Sequence, residues 1–286
     1  MIYLQLLATG LLGGFLAGLL GIGGGFVVVP VLMLLLPAFG VASDLVPQVA
    51  VATSLAAMVP MACSAVLAQH RRGGLDLAWV KQLAPGAAFG AVVGSQLAAA
   101  VHGVWVAAAF AIYVAYFAVR MMRGSATQQA PAGSLALWVG TLPAPAVAVL
   151  IGAFSAVAGV GGASMTIPFL LAANVDMKRA VAVSSAVGLV IALAGGASFA
   201  MTPQAATALS PALLGLVCWP AALTLAASAV VMAPRGVAAS HRLPVRHLKR
   251  AFGAVLIFAC ASSLVKATEA VLRLEAAVPA GVVSMR

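Results

Sequence analysis

GLLGIGGGFVVVP, Gly18 to Pro30, is the stretch on which the fold of this chain turns. It lies inside an uncharged apolar run, residues 3–36. As one straight helix that run would extend about 51 Å at ~1.5 Å per residue, against a bilayer hydrocarbon core of about 30 Å. The run must tilt severely, protrude or break. Gly21, Gly23, Gly24 and Gly25 supply a break, because glycine accepts either sign of φ without steric cost. Pro30 follows early in the second piece, marking it as a hinge together with Gly21. A second stretch, GVGGASMTIP from Gly159 to Pro168, interrupts the apolar run 135–173 in the same way. Gly159, Gly161 and Gly162 form its turn, and Gly159 and Pro168 its hinge positions. Both runs read as helix–turn–helix, either re-entrant or fully spanning.

Composition sets the setting. The 286 residues are 64% hydrophobic and only 7% charged, with a mean hydropathy of +1.16. No soluble globular domain has that balance. Windows of about 20 uncharged residues, each enough for one membrane span, recur from end to end. The N-terminus lacks the basic residues that would open a cleaved signal peptide. A net charge of +10 raises nucleic acid as a partner, but the basic residues sit in short loops without interleaved aromatics, so no nucleic acid is expected. The lipid bilayer is the expected partner. Cys63, Cys218 and Cys260 are far apart inside apolar segments and read as small buried hydrophobes. No metal and no cofactor are expected.

The apolar segments are 3–20, 25–36, 49–69, 82–100 and 104–122, then a polar linker GSATQQAPAGS at 124–134. After it come 135–158, 163–173, 180–201, 212–232 and 251–268. Matching the halves pairs Pro30 with Pro168, Thr53-Ser54 with Ser184-Ser185, and Pro85 with Pro220. The expected organisation is a first membrane repeat at 1–123, a linker at 124–134 and a second repeat at 135–286. Loop charge discriminates between topologies. If each broken run crosses once, the 15 Lys and Arg split 8 to 7 across the membrane, which is no bias. If each run enters and returns, they split 12 to 3, with both termini outside. Five segments per half is an odd number, so the copies then run in opposite directions. The fold class expected is an all-α polytopic membrane protein of two inverted-topology repeats. Each repeat is a glycine-broken helix hairpin plus three further helices, about 8–10 segments in total.

Apart from Arg120 and Lys266, each two residues from a segment end, no Lys, Arg, Asp or Glu falls inside these predicted segments, so no buried ion holds a substrate. What the core offers is interrupted backbone and hydroxyls. The first N–H groups of a helix have no intrahelical partner and carry partial positive charge, which suits a small anion. Gly23, Gly24 and Gly25 form one such cradle; Gly161, Gly162 and residue 163 form the other. Ser164 and Thr166 add donors, and Thr53, Ser54, Ser184 and Ser185 lie at corresponding places on the following helices. The competing reading gives glycines to close helix packing, as for Gly14/Gly18 and Gly86/Gly90/Gly94, and gives Gln5 and Gln96 to interhelical bonding. No catalytic residue is expected: the glycine turn lacks the Lys-Ser/Thr of a phosphate loop, and GxSxG and HExxH are absent.

With GLLGIGGGFVVVP, AVATS (50–54), HRRGGLD (70–76), GVGGASMTIP and AVSSA (182–186) in hand, the chain resembles the TauE/SafE family of sulfite and sulfonate exporters over roughly residues 3–268. The second turn is one glycine shorter than the first. The resemblance implies transport of a small sulfur-containing anion without fixing which one. The expected function is a multi-pass carrier of the plasma membrane that exports sulfite or an organosulfonate by alternating access. Two alternatives stay open: a carrier of another small solute, or an importer of a sulfur compound, and, further off, a non-transporting scaffold. A homo-oligomer is compatible with the sequence, because apolar surface facing lipid and apolar surface facing a protomer look alike.

Overall fold

The computed structural model describes residues 1–20, 24–71, 73–122, 143–202 and 212–240, and for Leu20, 117–122 and Ser240 the backbone alone. The chain is built from α1 (Ile2–Leu20), α2 (Gly25–Leu35), a 3-10 turn (Leu36–Phe39), α3 (Val46–His70), α4 (Leu77–Ala100) and α5 (Gly103–Met122). Then follow α6 (Ala144–Ala158), α7 (Ala163–Ala172), α8 (Met177–Ala200), a short β1–β2 hairpin (Leu213–Leu214 with Val217–Cys218) and α9 (Trp219–Ser240). Among the described residues five helices, α1, α3, α4, α8 and α9, are long and apolar enough to cross a membrane. The protein is an all-α polytopic membrane protein.

Among the described residues most segment ends lie within a few residues of the sequence expectation; three differ. The segment expected at 135–158 is helical from Ala144, with 135–142 outside the described residues, as are the linker at 124–134 and the segment expected at 251–268. The segment expected at 212–232 opens with the β-hairpin and becomes helical only at Trp219, then runs on to Ser240. Gly215, at φ 56°, makes the hairpin turn. Likewise α4 starts at Leu77 because the Asp76 side chain caps it, accepting from the Ala78 N–H at 3.0 Å. Lys81 and Arg235 therefore lie inside helices, near their ends, and correct the expectation of charge-free spans.

Helices α1 and α2 form a hairpin. The Tyr3 ring, at the start of α1, meets Phe39, just beyond α2, edge-on at 6.0 Å. Between them Gly24 packs so closely on α1 that a Cβ would lie 2.9 Å from the Gly13 carbonyl oxygen. At about 16 Å for 11 residues, α2 is half a crossing, and it runs back toward the side where the chain entered. Helices α6 and α7 repeat this. Gly162 sits beside Ser155 and Ile151 of α6. Phe169, near the end of α7, meets Trp79 at the start of α4, the end at which α6 also begins, with Gly86 against the Pro145 carbonyl.

In the centre α3 packs on α8; α1 pairs with α9 on one flank and α4 with α6 on the other. Glycines bring these flanking pairs to backbone contact, as in membrane helix packing generally. A Cβ on Gly14 would lie 2.3 Å from the Ala229 oxygen, and one on Gly90 2.0 Å from the Val149 oxygen. The contacts interchange between halves. Gly14 on Ala229 corresponds to Gly152 on Ala87, and Gly236 on Phe15 to Gly94 on Ala153. Gly73 and Gly215 are both at positive φ. Helix directions are opposed: α1 starts at the end of the bundle where α4 finishes, whereas α6 starts at the end where α4 begins.

Charge follows the same axis. Among the described residues Arg71, Lys81, Lys178, Arg179, Arg235 and, by helix position, Arg120 all lie toward one end. The other end carries Asp44 and His102. Phe89, Ile112 and Leu223 stand exposed on the outside of the bundle, where lipid would cover them.

Candidate functional site

The second glycine turn is described in full. Gly159 ends α6 with φ 65°, its N–H donating to the Ala156 carbonyl at 3.2 Å while the Val160 N–H donates to Ser155 at 2.9 Å. This double closure needs a left-handed residue, which Gly159 supplies. Gly162 then caps α7 at φ 70°, and its carbonyl accepts from the N–H groups of Met165 and Thr166 at 3.1 and 3.0 Å. The Ala163 N–H donates to the Gly161 carbonyl at 2.9 Å. Of the first four N–H groups of α7, Ser164's is the one left without such a bond among the described residues.

Of the first turn, Gly21, Ile22 and Gly23 lie outside the described residues. Gly24 caps α2 in a right-handed conformation, accepting from the Val27 and Val28 N–H groups. Gly25 presses directly on the second turn, where a Cβ would lie 2.2 Å from the Gly159 carbonyl oxygen. The two breaks, 138 residues apart in the chain, thus abut inside the bundle. Pro30 and Pro168 each occupy the sixth position of a half-length helix, which runs on past them.

Most candidate hydroxyls are engaged. Ser54 Oγ donates to the Gly159 carbonyl at 3.1 Å, tying α3 to the second turn. Thr53 Oγ1 accepts the Cys218 N–H at 2.9 Å, holding the β-hairpin. Thr166 Oγ1 donates to Gly162 at 3.0 Å. Ser184 and Ser185 both donate to the Val181 carbonyl, at 2.8 and 2.9 Å. Thr53 and Ser184 are each the eighth residue of their helix. A cavity of about 20 Å³, room for about one water, is lined by Ala17, Met58, Met61, Gly161, Ser185 and Gly188 among others.

Sequence reasoning missed two residues here. Tyr113 of α5 hydrogen-bonds Ser164 and stacks on Phe26 of α2, ring centroids 5.7 Å apart. It therefore joins the two half-helices. Ser155, fully buried one turn before Gly159, has its Oγ beside both Gly162 and the Tyr113 hydroxyl. A tyrosine in an apolar helix and a serine before a glycine carry no local signal of this meeting. Two other expectations are corrected or met. Cys63 is exposed on the outside of the bundle rather than buried, while Cys218 is buried; Cys260 lies outside the described residues. Gln96 does bond between helices, donating to Ser198 Oγ at 2.7 Å.

The family described as sulfite exporter TauE/SafE matches residues 6–263. A Haemophilus influenzae protein named "Probable membrane transporter protein" is 31% identical over 260 residues, covering 91% of this chain and 97% of that one. "Probable membrane transporter protein YunE" of Bacillus subtilis is 26% identical over 189 residues, 60% of this chain and 68% of its own. A Xylella fastidiosa protein, also named "Probable membrane transporter protein", is 30% identical over 168 residues, 59% and 62% of the two chains. No solved structure matches significantly.

Proposed function

The chain belongs to the sulfite exporter TauE/SafE family, and on that premise we propose that it carries a small sulfur-containing anion, sulfite or an organosulfonate, out across the plasma membrane. The observation that carries this reading is the meeting of two interrupted helices inside the bundle, Gly25 against Gly159. Around the meeting point are backbone dipoles and hydroxyls, with no Lys, Arg, Asp or Glu there among the described residues. A helix N-terminus stabilises an anion without a fixed countercharge, so the ion can also leave. The substrate sits at Gly23, Gly24, Gly25, Gly161, Gly162 and Ser164, framed by Thr53, Ser54, Thr166, Ser184 and Ser185.

The interchange of helix contacts between the halves and their opposed directions support an inverted repeat. In carriers so built, one half rocks against the other about a central site. The basic end is cytoplasmic by the loop-charge rule, which puts the N-terminus outside. The cavity holds about one water, so passage of the anion requires the turns to separate. Export of a negative charge gains about 2.3 kcal/mol per 100 mV of inside-negative potential, which supplies the drive.

Efflux from proteoliposomes loaded in turn with sulfite, sulfate, thiosulfate, taurine and chloride tests the reading. The expected result is saturable, protein-dependent release of one sulfur oxyanion, faster when a potassium gradient with valinomycin makes the lumen negative. Release of none by folded protein would sink the carrier reading, and release indifferent to the potential would sink the proposed drive.

A further inference from the structure

We propose that the anion reaches the glycine turns from the basic end along the seam between α3 and α8, collected at a mouth formed by Arg179 and residues 73–77. This rests on the carrier reading above and adds to it an entry site and a route. Helix α3 ends at the basic end and α8 begins there, so their facing sides lead from that end to the centre. Two hollows lie along them. At the basic end one of about 320 Å³ is lined by residues 73–77 and Arg179. Deeper in, the cavity of about 20 Å³ reaches Gly161 of the second turn. Its lining takes Met58, Met61 and Ala65 from α3 and Ser185 and Gly188 from α8. Each set is spaced by three or four residues and is therefore one helix face. Followed one turn toward the basic end, those faces present Gln69 and Ala182, both buried. A Cβ on Gly74, in the wall of the mouth, would stand 3.6 Å from the Ala182 Cβ and 3.8 Å from Gln69 Oε1. Gln69 and Ala182 are thus the septum between mouth and cavity.

Charge is arranged to draw an anion in without holding it. Arg179 is exposed at the mouth, with Lys178 beside it and Arg71 just past the end of α3. Such a patch raises the local concentration of anions. The Asp76 carboxylate also lines the mouth, but it accepts from the Ala78 N–H at 3.0 Å, where the positive end of α4 opposes its charge. Beyond the mouth the named groups are an amide, small side chains, the Ser185 hydroxyl and two methionines, none of them charged. Methionine side chains are unbranched and adapt to a changing gap. Between them Pro60 has no N–H for the Ala56 carbonyl, and helices bend at such a residue. The cavity can therefore widen beyond its present volume.

Toward the opposite end the same seam is filled. A Cβ on Gly195 would stand 3.2 Å from the Leu55 Cδ1. Ser54 is tied to the Gly159 carbonyl and Thr53 to the Cys218 N–H. The turns are approached from the basic side and covered on the other.

The test is sided labelling of the full chain with Cys63, Cys218 and Cys260 replaced by alanine. Met61→Cys and Ala65→Cys each place one thiol in the cavity, and Lys178→Cys serves as the control at the mouth. The probes are the anionic sulfonatoethyl and the cationic trimethylammonioethyl methanethiosulfonates. The anionic probe is expected to modify Met61→Cys and Ala65→Cys in inside-out vesicles and not in intact cells, more slowly when sulfite is present. Adding Arg179→Gln should slow the anionic probe about threefold or more, the size of one nearby charge acting through water, and should not slow the cationic one. If Lys178→Cys reacts in inside-out vesicles while both cavity thiols, in variants that melt like their parent, stay unmodified, the route is overturned. Equal modification from both sides overturns it too, and a rate indifferent to Arg179→Gln removes the arginine from the entry site. Labelling needs no transport, so a parent that releases no sulfite from proteoliposomes strikes the carrier reading, while the sidedness of labelling decides the route.

Discussion

At the scale of single residues, glycines act here for two different reasons. Gly40 closes the 3-10 turn at φ 78° with nothing within 4 Å of a Cβ position. Gly25 has no such backbone demand on it but would drive a Cβ to 2.2 Å from the Gly159 oxygen. Gly40→Ala is therefore expected to cost about 1–2 kcal/mol of left-handed strain and to leave transport intact. Gly25→Ala is expected to cost about 1–3 kcal/mol through overpacking and to stop efflux, because it pushes the two turns apart. Thermal melting and flux, measured on both variants, separate the two cases; equal flux in both would contradict the role given to the contact. Thr53→Val leaves the buried Cys218 N–H without its acceptor, at about 1–3 kcal/mol. A drop in melting temperature reports it, and an unchanged one would mean the β-hairpin is held by other contacts.

Elements show how small residues decide which helices become partners. α4 lies on α6 through Gly86, Gly90 and Gly94, and α1 on α9 through Gly10, Gly14 and Gly18. In a bilayer there is no hydrophobic drive between helices, so close van der Waals contact is what holds them. Gly90→Ala should cost about 1–3 kcal/mol, since its Cβ would meet a carbonyl rather than a side chain that can move. Phe89→Ala next to it faces outward and should leave the melting temperature near wild type. If both variants melt alike, the packing role of the glycine seam is wrong. The half-length of α2 and α7 has a related cause: each starts at a glycine turn already inside the bundle and has only the remaining depth to cover.

For the molecule as a whole, the separation of basic and neutral ends makes orientation testable. With Cys63, Cys218 and Cys260 replaced by alanine, Ser43→Cys and Lys178→Cys place single thiols at opposite ends, both exposed. A membrane-impermeant maleimide added to intact cells should label Ser43→Cys and leave Lys178→Cys unlabelled until the membrane is opened. The reverse pattern would invert the topology, and labelling of both from outside would contradict a spanning bundle. The same geometry explains how the outer surface can be apolar while the interior holds hydroxyls: lipid solvates the exposed Phe89, Ile112 and Leu223, and a backbone carbonyl satisfies buried serines such as Ser184 and Ser185.

Hydropathy, glycine and proline are local signals, and what they determine was readable without any structure. The membrane class, the positions of the long helices and the two breaks all follow from how many apolar residues fit a bilayer and where glycine releases the chain. The break after Ala158 and the restart at Ala163 were read from four residues between them. Contact between distant residues was beyond such signals. That Gly25 meets Gly159, that Ser54 bonds a carbonyl 105 residues away, and that Tyr113 reaches Ser164 depend on how whole helices pack. A hydroxyl looks the same in sequence whether its proton goes to its own helix, as with Ser184, or toward a neighbouring one, as with Tyr113 and Ser164. The β-hairpin at 213–218 was invisible for the same reason: its apolar residues match a helix in composition, and Gly215, the Thr53 side chain and the Phe199 carbonyl, which accepts from the Leu216 N–H, turn them into strands. Tertiary structure decided which dipoles remain available to a ligand, because that is settled by which neighbour claims each hydrogen bond first.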